Sequence, residues 1–241
     1  MAKKRDLPTG PIVNTLIAWF FVAIGIFWWT YIRGDYGQDA FVQNLLAGFH
    51  NTLFEILLIG VFVYWLNQRY ENRHEIQRQK DLLDLWRRDG SAIAIKNNQA
   101  SIRRLNECGV SEIDLSACVL QGSDLSTLNL SRSNLSEAQC YKTEFKETDL
   151  SNAILDKANL RNANLTQAIL ENAKLRGTVL ENAVLQNAKL AGADFSGAIV
   201  PNVDWTDAIY DDRTILPIDL DRSLLKSAKR SDRKPRSAKI I

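Results

Sequence analysis

The chain has 241 residues, 46% of them apolar, with 30 Lys and Arg against 28 Asp and Glu. This composition, with only 12 Gly and 5 Pro, excludes a collagen, a low-complexity protein and a chain disordered throughout, and the length allows at most two domains. The balanced charge hides a segregation, because an acidic stretch at 111–210 lies between basic stretches at 67–104 and 213–241. Three cysteines and two histidines without ligand spacing argue against a disulfide framework, so we expect no metal and no cofactor.

Residues 12–32 form a long apolar run without a charged side chain. As a helix this run would be about 30 Å long, which matches the hydrocarbon thickness of a bilayer. A cleaved signal peptide is the alternative, but the run is longer than a signal-peptide core and ends in Trp28, Trp29 and Tyr31 rather than in small residues. We therefore predict a transmembrane helix with aromatic residues at one interface.

A second apolar run at 45–66 is predicted to span the membrane as well. Basic residues precede the first run and follow the second, whereas the loop at 33–44 holds one Arg against two Asp. The excess of positive charge on one side places both termini in the cytoplasm. That compartment is reducing, which suits cysteines that have no disulfide partner.

Three polar residues interrupt the second run: His50, Asn51 and Glu55. A carboxylate inside a bilayer is costly unless it is neutralised or partnered, so Glu55 marks either a functional site or a packing contact. The functional interpretation is an ion or proton pathway that uses Glu55 with His50. The alternative is a hydrogen-bonded clasp to Asn51, to the first helix or to a neighbouring copy. The clasp is favoured, because two helices cannot enclose a pore without oligomerising.

Residues 67–109 are predicted to form a helical connector that also covers the start of the next domain. The sequence Asp89-Gly90-Ser91 breaks the helix, Ser91 can cap a second helix, and Gly109 is placed to end it. The basic residues of this segment could attract anionic lipid, but a solvated charged face is the alternative interpretation.

Apolar residues recur at every fifth position from Leu115 to Tyr210, and each is preceded at a distance of two by a small or apolar residue. A period of five advances by about 500° on an α-helix, so no apolar stripe forms. A flat strand fails as well, because an odd period sends successive residues to opposite faces. The pattern is satisfied when three extended residues are followed by a right-angled turn, so that four five-residue units close one square coil.

Five such coils predict an all-β solenoid at 110–212, about 24 Å tall. The residues predicted to fill its core are Leu125, Phe145, Leu150, Leu155, Leu160, Leu165, Leu170, Leu175, Leu180, Leu185, Leu190 and Phe195. The connector helix is expected to cover the first coil. The segment from residue 213 is expected to cover the last coil and to continue as a basic, disordered tail.

The five-residue runs at 158–162 (Ala-Asn-Leu-Arg-Asn) and 163–167 (Ala-Asn-Leu-Thr-Gln) resemble the pentapeptide-repeat family, whose fold is a right-handed quadrilateral β-helix. The region before the repeats is similar to bacterial membrane proteins that carry a two-helix transmembrane anchor ahead of such repeats. The segment 212–217 resembles an ending common among cyanobacterial members. The resemblance implies a location in the bacterial plasma membrane, or in the thylakoid of a cyanobacterium, but no particular biochemical activity.

One predicted side of the solenoid exposes five acidic residues: Asp124, Glu144, Glu147, Asp204 and Asp207. Soluble members of the family linked to quinolone resistance resemble DNA in shape and charge and bind type II topoisomerases, which suggests the same role for this side. Five acids are sparse beside a DNA duplex, which carries one negative charge per about 1.7 Å of its axis. A solvated acidic surface is the alternative.

No catalytic constellation is found, because the repeats contain no histidine, no phosphate-binding glycine loop and no nucleophile with a base. We therefore predict a membrane-anchored, non-enzymatic scaffold that presents a rigid cytoplasmic surface to an unidentified protein. Membrane lipid is a second expected partner, a homo-oligomer is an open option, and nucleic acid is not expected. The alternatives are an ion- or proton-conducting oligomer that uses Glu55, and a topoisomerase-binding DNA mimic. The predicted order is N-terminus (1–11), span (12–32), loop (33–44), span (45–66), connector (67–109), solenoid (110–212) and cap with tail (213–241).

Overall fold

The computed structural model of the chain describes residues 40–217 and 229–230. These residues contain helices α1 (Ala40–Trp86) and α2 (Ala92–Glu107) and the short strands β1 (Ile209–Tyr210) and β2 (Lys229–Arg230). The chain divides into two units, Met1–Gln68 and Arg69–Ile241. The predicted N-terminus and first span lie outside the described residues. Residues 33–39 of the predicted loop at 33–44 also lie outside the described residues, and Ala40 is the first residue of α1.

In the first unit, α1 carries large apolar side chains between Ile56 and Leu66 that are exposed over most of its circumference, whereas Leu57, Gly60 and Tyr64 form a half-buried face. Ile59 and Val63 leave 61% and 56% of their surface open, and Phe62 on another side leaves 57% open. Within the described residues, no helix contains an apolar stretch of sufficient length to span a membrane.

In the second unit, α1 ends at Trp86 and α2 begins at Ala92. The Asp89 carboxylate accepts a hydrogen bond from the Ser91 backbone N–H at 2.7 Å, and the Ser91 hydroxyl accepts one from the Ala94 N–H at 3.2 Å. These two contacts fix the break and satisfy one of the free N–H groups at the start of α2. Gly109 follows α2 with φ +83°, a left-handed conformation that glycine adopts without strain.

From Asp114 onward the chain is a quadrilateral β-solenoid, as the period of five predicts. Each side contributes one parallel bridge to the residue 20 positions later, beginning with Asp114 to Asn134. Three backbone hydrogen bonds join each five-residue unit to the unit 20 residues later. Between units 163–167 and 183–187 they run from Leu165 N–H to Val184 O at 2.7 Å, from Gln167 N–H to Gln186 O at 2.8 Å and from Val184 N–H to Ala163 O at 3.0 Å. Because this pattern repeats on every side, nearly every inter-coil peptide group is paired without a long strand.

The interior of the solenoid is a stack of four apolar columns. All twelve residues predicted to fill the core are no more than 1% exposed. In the last coil Trp205 is also buried, whereas Val200 and Tyr210 are half-buried. Each buried leucine contributes about 1.5–3 kcal/mol before entropy is subtracted, and contacts between adjacent coils let this stability accumulate along the stack.

Every corner of the solenoid is a tight turn with one residue in the left-handed region. The leucine carbonyl accepts a hydrogen bond from the N–H three residues later, as Leu155 O does from Ala158 N at 2.9 Å. The second residue after the leucine has positive φ, between 54° and 71°, and the residue before it does not, which is the pattern of a type II turn. Asn or Gly occupies many of these positions, but Arg132 and Lys157 also adopt φ of 63° and 59°, which costs roughly 1–2 kcal/mol each.

The open edge of the first coil is covered by segments that stand in for a preceding coil. On one side the Arg87 carbonyl accepts the Val119 N–H at 2.9 Å, and the Asn98 side chain donates to the Val119 carbonyl at 3.3 Å. At the neighbouring corner the Arg87 guanidinium donates to the Ser116 carbonyl at 2.9 Å. These contacts satisfy peptide groups that an uncapped solenoid would leave free.

Helix α2 completes the cover on the other two sides of the first coil. The Arg103 guanidinium donates to the Asp124 carbonyl at 2.7 Å. The Asn106 amide donates to the Asn129 carbonyl, and its oxygen accepts the Asn129 N–H at 3.2 Å. Asn106 therefore pairs with Asn129 as a backbone strand would.

The last coil departs from the period of 20, because Asp194 pairs with Ile215 at a distance of 21. The extra residue lies in a loop at 211–214, where the Asp211 carboxylate accepts the Gly192 N–H at 2.8 Å in place of a backbone carbonyl. Arg213 donates to the same carboxylate at 2.8 Å. Beyond the loop, β2 pairs in parallel with β1 and places Lys229 opposite Ile209. The sequence predicts disorder for this part of the tail, but the structure gives these two residues a strand partner.

We expect Leu165→Asp to lower the stability of the full chain by at least about 4 kcal/mol, because it buries a carboxylate in mid-column without a partner. The matched control is Gln167→Asp, two positions away, which is exposed and has φ +59°, a conformation that Asp tolerates. Thermal unfolding followed by circular dichroism measures both. Equal losses of stability in the two variants would show that Leu165 is wrongly assigned to the interior.

We expect Asp211→Asn to destabilise the protein at neutral pH and to destabilise it less as the pH falls below about 4. Burial acts to raise the pKa of Asp211, but hydrogen bonds from Arg213, the Gly192 N–H and Thr214 outweigh burial and lower the pKa below its usual value. A lowered folded-state pKa gives stability above the unfolded pKa of about 4, which is lost as the pH falls through the folded pKa. The melting temperatures should differ by about 2–4 °C at pH 6, and the difference should shrink steadily as the pH is lowered below about 4. A difference that does not change with pH would contradict this role.

Candidate interaction surface

Among the described residues, no three His, Cys, Asp or Glu side chains are placed to hold a metal ion. Burial raises the pKa of the Cys118 thiol to about 11 and raises that of Cys140 as well, so neither is a nucleophile near neutral pH. Both cysteines serve as small core residues.

The outer surface of the solenoid is a set of polar ladders that join adjacent coils. Asn164 donates to Glu144 at 2.7 Å, Arg161 pairs with Glu181 at 2.8 Å, and the Asn202 amide donates to the Asn182 oxygen at 3.2 Å. These pairs connect residues 20 positions apart, so they hold outward side chains in fixed positions. The surface is therefore a preorganised array.

The predicted acidic residues lie on one side of the solenoid but form no continuous stripe. The bridges place Asp124 next to Glu144, whereas Asn164 and Val184 separate Glu144 from Asp204. Glu147 and Asp207 occupy the adjacent corner, as the second and last members of a row that also contains Thr127, Gln167 and Asn187. The acids are therefore divided between the two ends of the solenoid.

Part of this negative charge is compensated by other side chains. Arg103 pairs with Asp124 at 2.9 Å, and Lys146 lies 4.0 Å from Glu147. The Asp124 pKa is lowered by hydrogen bonds from Ser126 and by the charge of Arg103. A helix that covers the first coil thus neutralises the acid nearest to it, which weakens the likeness to a DNA backbone.

Of the polar residues predicted inside the membrane, Glu55 is the one whose side chain the structure describes, and it is exposed on α1. His50 and Asn51 belong to α1, but their side chains lie outside the described part. The grouping of these three residues therefore stays a prediction.

A cleft that the sequence did not predict lies beside the last turns of α1 in the second unit. We call it the α1 cleft. It has a volume of about 440 Å³ and is lined by four residues of α1 and its end and six of the first three coils, namely Lys80, Leu83, Asp84, Arg87, Glu112, Ile113, Asp114, Arg132, Asn134 and Ile154. Residues 80, 83, 84 and 87 are spaced like one face of a helix. This spacing is the feature of the sequence that indicates the helical wall of the cleft.

Arg87 joins the two walls of the α1 cleft. Its guanidinium lies 2.5 Å from Asp84 and 3.4 Å from Asp114, and it also donates to the Ser116 hydroxyl at 3.1 Å. Burial opposes the charge of Arg87, but Asp84 and Asp114 raise its pKa overall. The Asp114 pKa is lowered, because hydrogen bonds from Ser116 and the charge of Arg87 outweigh its burial. Arg87 therefore pairs with both acids and compensates one of their two negative charges.

The repeats also match known proteins. Residues 113–152, 143–182 and 170–200 match the family model of pentapeptide repeats, in eight copies. No curated protein matches the chain.

Several solved structures are similar to part of the chain. The pentapeptide repeat protein Rfr23 from the cyanobacterium Cyanothece is 38% identical over 36% of this chain and 62% of its own, which is less than two thirds, with a TM-score of 0.24. A pentapeptide repeat protein from the thylakoid lumen of Arabidopsis thaliana is 26% identical over 48% of this chain and 77% of its own, with a TM-score of 0.29. HetL from the cyanobacterium Nostoc, involved in heterocyst differentiation regulation, is 23% identical over 44% of this chain and 57% of its own, with a TM-score of 0.18.

Three observations agree with one another. Every fifth residue points inward, the bridges join residues 20 positions apart, and the repeats match the family model. Residues 113–200 of this chain are therefore similar to the pentapeptide-repeat family, whose members adopt a right-handed quadrilateral β-helix.

Proposed function

We propose that the protein is a membrane-tethered scaffold whose solenoid presents a rigid surface to a protein partner in the cytoplasm. The apolar runs at 12–32 and 45–66 form the tether, and the bacterial plasma membrane, or a thylakoid membrane, is its location. The scaffold has no catalytic activity of its own. The observation that carries the proposal is the surface of α1, where large apolar side chains are exposed over most of the circumference.

The exposed apolar segment of α1 supports the tether. A helix that is apolar on every side is buried in a large core or in a membrane. Ile56, Val61 and Trp65 remain 61%, 59% and 48% exposed, so no core in the described residues covers them. Burying such surface in lipid gains about 25 cal/mol per Å².

The order of the solenoid supports the role in protein binding. The ladders between coils fix the outward side chains before a partner arrives, which limits the conformational entropy lost on docking. A membrane tether also raises the local concentration for any partner at the same surface. Ion or proton conduction through Glu55 and topoisomerase binding gain no specific support from the described residues.

The tether is tested by membrane extraction of the full chain. We expect the wild type to stay in the membrane pellet after an alkaline carbonate wash. The double substitution Ile24→Arg with Ile56→Arg should move it to the supernatant, because each Arg in mid-span costs about 2.5–3.5 kcal/mol. The matched control, Tyr70→Arg with Leu85→Arg, changes exposed residues of α1 outside the predicted span and should stay in the pellet. A wild type that is washed off would contradict the tether.

The scaffold role is tested by crosslinking in native membranes, followed by purification of the full chain. One variant is made for each side of the solenoid at an exposed or half-buried outward position: Gln139→Arg, Glu144→Lys, Lys174→Glu and Lys189→Glu. We expect at least one of them to lose most of a specific crosslinked protein while the melting temperature is unchanged. If the same proteins persist when all four substitutions are combined, the solenoid surface is not what they bind.

A further inference from the structure

We infer that Glu55 lies at a contact between two copies of this chain in the membrane. This inference rests on the proposed tether and assigns one side of α1 to a second copy. Three properties of α1 carry it: the depth of Glu55 in the predicted span, the side of the helix on which Glu55 lies, and the residue types that share this side.

Glu55 occupies the middle of the predicted span at 45–66, with ten residues of the span before it and eleven after it. Each interface is therefore about 15 Å away along the helix. Ionisable side chains at this depth almost always face protein or a water-filled cavity rather than lipid. No Lys or Arg occurs in the sequence from residue 40 to residue 68, so no cation of α1 in the first unit can neutralise this carboxylate.

Glu55 is exposed on the side of α1 opposite to the half-buried face, which consists of Leu57, Gly60 and Tyr64. At about 100° per residue, these three positions lie roughly 140–200° around the helix axis from Glu55. In the proposed tether, the apolar run at 12–32, which belongs to the same unit, packs against the half-buried face. Glu55 then points away from this run, so the first half of the tether does not supply its partner.

The side of α1 that carries Glu55 is open for a contact with another molecule. Ile59 and Phe62 lie one and two turns beyond Glu55 on this side, and they leave 61% and 57% of their surface open. Lipid can cover these apolar side chains, but hydrocarbon tails offer no hydrogen bond to a carboxyl group. The polar group that meets Glu55 therefore comes from another protein chain.

A second copy supplies such polar groups at the correct depth. Copies that insert with the same orientation are parallel, so the same residues of each copy lie at the same depth. Asn51 and Thr52 precede Glu55 by four and three positions in α1, which places them on its side of the helix. Their amide and hydroxyl groups are donors, and a carboxylate is an acceptor. A two-fold contact can therefore form the same hydrogen bonds in both directions.

The backbone of α1 also permits close approach on this side. Gly48 precedes Glu55 by seven positions, so it lies two turns back along the same stripe of the helix. Small residues at helix contacts in membranes let the two backbones come close enough for hydrogen bonds between side chains. The stripe from Gly48 through Glu55 to Phe62 thus combines a small residue, a polar centre and an apolar end.

The contact is tested by photo-crosslinking of the full chain in native membranes, with p-benzoylphenylalanine placed at one position at a time. Ile59 lies on the side of Glu55, whereas Leu57 lies on the half-buried face at nearly the same depth. We expect the probe at Ile59 to give an adduct of twice the mass of the chain and the probe at Leu57 to give none. Equal yields from the two positions would overturn the inference, and so would an Ile59 adduct that contains only a different protein.

The role of the Glu55 side chain is tested with the probe kept at Ile59. We expect Glu55→Leu to lower the yield of the adduct between copies by about fivefold or more, because it removes the hydrogen bonds across the contact. The matched variant Glu55→Gln should keep most of the adduct, since its amide can still bond to Asn and Thr. A yield in Glu55→Leu equal to that of the wild type would show that Glu55 is not part of the contact.

The alkaline carbonate wash separates this inference from the proposed tether. Glu55→Leu makes the predicted span more apolar, so this variant should stay in the membrane pellet like the wild type. If the wild type stays in the pellet but the probe at Ile59 gives no adduct between copies, the tether stands and this inference fails. If the wild type is washed off the membrane, the tether and the contact fail together.

Discussion

The solenoid depends on one local constraint, a corner at every fifth residue that needs positive φ. The leucine two positions earlier can point inward on every side only because the chain turns at these corners. Each corner is a type II turn, closed by a hydrogen bond that the leucine carbonyl accepts from the N–H three residues later. Asn152 and Gly177 occupy such corners at little cost, whereas Arg132 and Lys157 store strain there. The burial of one large side chain in every repeat unit offsets that strain.

At the two ends of the solenoid, side chains make the hydrogen bonds that a neighbouring coil makes elsewhere. At the first coil, side chains of Asn98, Arg103 and Asn106 take the positions of missing peptide groups. At the last coil, the Asp211 carboxylate replaces a carbonyl. Inside the stack the buried hydroxyl of Thr143 donates to a carbonyl 23 positions earlier, at 2.8 Å. Ser123 lies in the first coil, where no earlier coil exists, and its hydroxyl has no partner in the described region.

Much of the solenoid could be predicted from the sequence, because its period appears in every unit. A period of five excludes a helix and a flat strand, and the phase of the leucines assigns the inward side. The end contacts could not be predicted, since Asn98 and Arg103 look like ordinary helix residues until a coil edge lies against them. The acidic side was predicted by coil phase, but the pairing of Asp124 with Arg103 depends on how α2 crosses the first coil. The α1 cleft depends on the placement of the last turns of α1 against the coils, which no periodicity encodes.

The fixed register between successive coils makes the solenoid a molecular ruler. Each coil adds one rise of about 4.8 Å, so gain or loss of a whole coil would move every later side chain by one step without changing its direction. Gain of a single residue would instead shift the inward-pointing position by one residue in every later five-residue unit. The one extra residue, at 211–214, lies beyond almost all of the ladder, where it shifts few partners. Length in this architecture therefore changes in whole circuits, and the distance between a feature on an early coil and one on a late coil takes discrete values.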